Sequence, residues 1–100
     1  MKYYHATSVT AAESIKADGL IKKSIEGFVY CADSVDNAVK FLALRCMGEP
    51  IYVFEFDVPE GAEVEEQFDH NEAFFKCKAY GVYSDVPADN WTNIYVSTPN

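Results

Sequence analysis

Two histidines, three cysteines and a run of acids are the side chains of this 100-residue sequence best suited to bind metals or move protons. His5 stands in Tyr4-His5-Ala6-Thr7-Ser8, where an imidazole can hydrogen-bond a ligand hydroxyl or exchange a proton near neutral pH. His70 follows Asp69, and such a pair could orient an imidazole, but neighbours along a strand point to opposite faces, which makes it a weak site. Cys31, Cys46 and Cys77 are odd in number, widely spaced and unaccompanied by any Cys-x-x-Cys or His-x-x-x-His pair. That pattern suits reduced, packed thiols in a cytosolic protein and predicts no metal site. Residues 57–72 hold seven acids, with no lysine or arginine between Arg45 and Lys76. The segment reads as solvated, self-repelling surface unless one acid enters a cleft, and Glu72, in Asn71-Glu72-Ala73-Phe74-Phe75, is the candidate.

These groups need elements to hold them. Lys2-Tyr3-Tyr4-His5 reads as a first strand that delivers His5 to its end. Thr10-Ala11-Ala12-Glu13 has the form of a capping box, and Gly19 stands where a glycine stops a helix, which predicts a helix burying Ala12 and Ile15. Residues 20–26 have no clean period and read as a loop. Residues 28–32 are a short apolar run with aromatic and β-branched members, the pattern of a buried strand. Ser34 can cap a second helix in which Val35, Ala38, Val39, Leu42 and Cys46 form one apolar stripe. In Ile51–Asp57, Tyr52, Phe54 and Phe56 share one face and Ile51 and Val53 the other, as expected of a central strand. Pro59-Glu60-Gly61 turns the chain. Residues 77–83 and 91–96 are two further β-rich runs, separated by a turn through Asp85-Val86-Pro87-Ala88-Asp89. Two helices near the start and strands thereafter predict a single α+β domain over residues 1–100.

Composition narrows the partners. Eight Lys plus Arg against sixteen Asp plus Glu give a net charge of −8, and Arg45 is the single arginine. Nucleic-acid affinity depends on neutralising phosphates, so this balance argues against DNA or RNA, and an anionic membrane surface would repel the chain. No basic-then-apolar leader opens the sequence, and no apolar run approaches the ~20 residues needed to cross a bilayer. The expectation is a soluble, cytoplasmic protein.

Two segments, taken together, carry a family likeness. His5-Ala6-Thr7, Ile15 and Gly19-Leu20 form the first; Val29-Tyr30-Cys31-Ala32-Asp33, running into Ala38 and Phe41, forms the second. In order and placement they resemble the NAD-binding core of ADP-ribosyltransferases, in the diphtheria-toxin-like and poly(ADP-ribose) polymerase branch. The resemblance covers residues 3–42 and implies split mixed or antiparallel sheets with two short helices near the N-terminus. It implies NAD as substrate: Tyr30 and Phe41 sandwich the nicotinamide, the main chain of Ala6 binds its carboxamide, His5 bonds a ribose hydroxyl and Thr7 adds a hydroxyl contact. Cleaving the nicotinamide–ribose bond develops an oxocarbenium-like sugar, so such a site must fix the leaving group and strain the ribose.

The sequence departs from the family at three places. Ala6 replaces a glycine, Ala38 replaces a serine, and Ala79, in Ala79-Tyr80-Gly81-Val82-Tyr83, falls where the family has a glutamate that holds the ribose and activates the acceptor. Glu72 is the other candidate for that acid. His5, Tyr30 and Glu72 are then the expected catalytic set, with His5, Ala6, Thr7, Tyr30, Ala38 and Phe41 binding NAD. The implied function is transfer of one ADP-ribose unit to a protein or small-molecule acceptor. The alternative is a silent module that binds NAD, ADP-ribose or a protein partner. A related branch, the NAD-consuming RNA 2′-phosphotransferases, shares the Tyr-His opening and a Val-Pro turn, but it grips RNA with several arginines and this chain has one.

Overall fold

β4 (Ile51–Asp57) is the strand against which the rest is laid. In the computed structural model, which describes residues 2–42, 48–67 and 79–98, it is the middle of a three-stranded sheet between β1 (Lys2–Ser8) and β8 (Trp91–Ser97), antiparallel to both. A second antiparallel sheet has the order β3 (Val29–Cys31), β6 (Ala79–Val82), β5 (Val64–Gln67). β2 (Leu20–Ile21) pairs with β7 (Val86–Pro87). With helices α1 (Val9–Asp18) and α2 (Val35–Leu42), the architecture is α+β, and every described strand pair is antiparallel.

The alternation read in β4 divides the interior. Phe54 and Phe56 are fully buried, with Tyr3, Val29 and Val82 on one side. Ile51 and Val53 lie on the other with Ala32 and Ala38, which seats α2 against β1 and β4. Each buried phenylalanine contributes about 1.5–3 kcal/mol by leaving water, which is why both sides of this strand are apolar.

Local expectations are corrected at several places, among them the turn expected over residues 85–89, where Val86–Pro87 is a strand. The N-cap of α1 is Ser8, not Thr10: Ser8 is extended (φ −69°, ψ 166°) and its Oγ accepts from the Ala11 amide at 3.2 Å. β1 runs three residues beyond His5, so the strand's own last residue turns the chain into the helix. Gly19 ends α1 as expected, with φ 68° and its amide donating to the Ile15 carbonyl. Leu20 and Ile21 form a strand rather than a loop, because two residues are too few to show a period and their pairing depends on Val86 and Pro87 far along the chain. Residues 64–67, inside the acidic run, form the outer strand β5, with Val64 packed on the core and Glu65 exposed. Ser34 caps α2 through the Asn37 amide at 3.1 Å. The expected extension of α2 to Cys46, and the expectations for Cys77, His70 and Glu72, lie outside the described residues.

Among the described residues, no helix is long and apolar enough to cross a membrane.

Candidate functional site

The site begins where two strands stop pairing. Tyr4 and Ala32 exchange both backbone hydrogen bonds, at 3.0 and 2.9 Å, in an isolated bridge that joins β1 to β3. In a continued antiparallel ladder the next such pair would be Ala6 with Tyr30. It does not form. The His5 ring takes the Tyr30 carbonyl instead, through Nδ1 at 2.6 Å. Peptide groups alternate sides along a strand, so the N–H and C=O of Ala6 point the same way as those of Tyr4, toward β3. The side-chain bond holds the strands apart and leaves one peptide donor and one peptide acceptor facing the gap.

That gap is a cleft of about 400 Å³, within the range of small-molecule sites. β1 contributes Tyr4, His5 and Ala6; β3 contributes Tyr30 and Cys31; α2 contributes Ala38, Phe41 and Leu42; β6 contributes Ala79; and the turn before β3 contributes Glu26. Tyr30 is about one-third exposed, and its ring is supported edge-on by buried Phe28 with centroids 4.7 Å apart. Phe28 in turn rests over Gly81, where a Cβ would come within 2.7 Å of the Phe28 ring. Glycine at this position leaves the space that the Phe28 ring occupies.

Chemistry at the cleft is set by a few groups. A carbonyl can only accept, so Nδ1 of His5 carries the proton and Nε2 of the neutral ring is an acceptor. Burial lowers the pKa of His5 from its ordinary 6.5, against a smaller opposing effect of the Tyr30 carbonyl, so the ring is neutral at pH 7. Burial pushes the Cys31 thiol up to about 12, and it donates to the Tyr80 carbonyl, so it is no nucleophile. The cleft therefore offers a flat ring the face of Tyr30 and an amide the main chain of Ala6, and His5 has Nε2 left to accept a hydrogen bond from a hydroxyl. Among the described residues no cluster of His, Cys, Asp and Glu has the form of a metal site.

Five of the residues singled out from sequence, His5, Ala6, Tyr30, Ala38 and Phe41, line this one cleft, and Ala79 lines it too. Thr7 does not. It is buried on the far side of His5, in a second hollow with Ser14, Ile15 and Leu20.

Sequence reasoning missed Glu26. It sits in a turn fastened by Ser24, whose Oγ donates to the Phe28 carbonyl at 2.9 Å and accepts from the Glu26 amide at 3.3 Å. Gly27 adopts φ 94° and its amide donates to the Ser24 carbonyl at 2.9 Å. The Tyr30 hydroxyl donates to Glu26 Oε2 at 3.1 Å. The signal that could have found it is the glycine just before a strand, which marks a turn able to bring an acid beside that strand's aromatic residue.

No family model matches the chain, and no curated protein matches it. Among solved structures, that of protein CC0527 from Caulobacter crescentus is similar, with a TM-score of 0.63 and 14% identity over 96% of this chain and 85% of that one. A double mutant of CC0527 gives 0.64 over the same coverage. At this identity the chain shares with CC0527 a fold, and the likeness extends no further.

Proposed function

We propose that the cleft binds NAD and that the protein is an ADP-ribosyltransferase-like enzyme, transferring one ADP-ribose unit to a protein or small-molecule acceptor. The observation that carries this reading is the interrupted ladder. A carboxamide needs one acceptor and one donor side by side, and the C=O and N–H of Ala6, without a backbone partner on β3 among the described residues, offer that pair in a cleft that Tyr30 and Phe41 also line. The aromatic walls suit a pyridine ring, at roughly 1 kcal/mol per good stacking contact. Neutral His5, accepting at Nε2, suits a ribose hydroxyl. Ala6 replaces a glycine, and the contact asked of it is one that main-chain atoms make.

A silent NAD-binding module is the second reading, and a particular residue favours it. Ala79, at the position matched to the family's glutamate, lines the cleft as a buried methyl.

Radiolabelled NAD incubated with the protein and candidate acceptors separates the two readings: label transfer and nicotinamide release support the enzyme, while NAD-dependent thermal stabilisation alone supports the module. His5→Ala and Tyr30→Ala should each weaken NAD affinity about tenfold, the equivalent of ~1.4 kcal/mol, while the domain stays folded. Equal NAD binding by wild type and both variants would remove the proposed site.

A further inference from the structure

We infer that Glu26, on the turn before β3, is the catalytic carboxylate of this cleft and takes the acceptor's proton. The inference rests on the NAD reading above and adds the acid that Ala79 cannot supply. Among the described residues lining the cleft, Glu26 is the one carboxylate. Its companions are poorly suited to proton transfer from an acceptor. Nδ1 of His5 is committed to the Tyr30 carbonyl and its Nε2, on the reading above, to a ribose hydroxyl, while Cys31 is a buried thiol bonded to Tyr80.

Position supports the role as much as chemical type. Ser24 and Gly27 fix the turn through backbone and side-chain hydrogen bonds, so the carboxylate is carried on a defined loop. The Tyr30 hydroxyl then tethers Oε2 at the edge of the ring proposed to stack on nicotinamide. A carboxylate beside that ring is near the ribose carbon bonded to the nicotinamide nitrogen. One phenol occupies one lone pair, and the remaining acceptor sites of the carboxylate can serve a ligand.

In the proposed step the glycosidic bond between ribose C1′ and the nicotinamide nitrogen breaks, and its electron pair leaves with neutral nicotinamide. The oxygen of a hydroxyl acceptor, water in the simplest case, forms the new bond to C1′. The acceptor's proton passes to Glu26. While the sugar is cationic, the negative carboxylate also stabilises it.

The test compares wild type, Glu26→Gln and Glu26→Asp for NAD affinity by calorimetry and for nicotinamide release across pH. Glutamine keeps the acceptor for Tyr30 and removes the base. The expected result is NAD affinity within about twofold of wild type and nicotinamide release reduced about 100-fold or more in Glu26→Gln, as for loss of a general base. Glu26→Asp should recover part of the rate. Release by Glu26→Gln within twofold of wild type overturns the assignment. Wild type that binds NAD but releases no nicotinamide also overturns it and leaves the silent module. Wild type that fails to bind NAD at all overturns the underlying reading of the cleft instead.

Discussion

Among the described residues three carboxylates meet phenols, Glu65 through the Tyr83 hydroxyl at 3.2 Å, and the other two, Glu55 and Glu26, differ in their surroundings. Glu55, on β4, accepts from Thr92 Oγ1 at 2.6 Å and from the Tyr95 hydroxyl at 3.0 Å, both on β8. The Thr92 hydrogen bond, helped by those from Tyr95 and Tyr4, holds its carboxyl below the usual carboxylate range. Glu26 accepts from Tyr30 alone among the described residues. Glu55 already holds hydroxyl donors from Thr92, Tyr95 and Tyr4 of its own sheet and ties β4 to β8. Glu26 is held by one contact on a fastened turn beside a cleft. The number of donors already bound, more than the presence of an acid, separates a structural carboxylate from one with acceptor capacity for a ligand.

Exchanging the two tests that distinction most strongly. Glu26→Gln should change folding stability by no more than about 0.5 kcal/mol, as for a surface site, while nicotinamide release falls about 100-fold. Glu55→Gln should do the reverse, lowering the melting temperature while release stays at the wild-type level. If Glu55→Gln abolishes release, or Glu26→Gln unfolds the domain, the contrast fails.

Next in size is a change that touches neither acid. Gly81→Ala should destabilise the domain by about 1–3 kcal/mol, because the added methyl presses on the Phe28 ring and forces the packed aromatics to shift. NAD affinity should fall with it, since Phe28 supports Tyr30. Urea denaturation and calorimetry read the two effects; unchanged stability would mean that Phe28 moves freely and does not brace the cleft.

The smallest effects are those of pH. Burial lowers the His5 pKa below 6.5, so the unfolded chain takes up the proton first as the pH falls, and the folded state loses stability below about pH 6.5. NAD affinity should be flat from pH 8 to pH 7 and decline only below that value, as Nε2 ceases to accept. Glu55 acts in a more acidic window: its stabilisation is complete above the ordinary carboxylate pKa and is lost as the pH falls through its lowered value. Thermal melts and calorimetry between pH 4 and pH 8, with Glu55→Gln as control, separate the two. A decline in NAD affinity already present between pH 8 and pH 7 would exclude a neutral His5.

Much of the frame was legible because it rests on periodicity. The two-sided apolar pattern of β4, the Ser34 cap and the Gly19 stop each follow from local physics and are found where expected. What escaped depends on distant partners. β2 exists because Val86 and Pro87 return to it, and β5 is an acidic stretch that becomes a strand because β6 offers an edge. The co-location of His5, Ala6, Tyr30, Ala38 and Phe41 in one cleft was suggested by motif order alone, whereas Glu26 lies in a stretch that reads as featureless loop. Its place at the cleft appears only once the turn is folded and a phenol reaches back four residues to meet it.

The missing rung between β1 and β3 has an evolutionary consequence. A recognition element composed of peptide atoms, as proposed for Ala6, tolerates replacement of the side chain it belongs to, provided the new group is small. On that proposal, chains sharing this device could drift far apart in residue identity and keep the same pair of peptide groups open to a ligand. A search for them would look for a histidine wedged between two diverging strands rather than for matching letters.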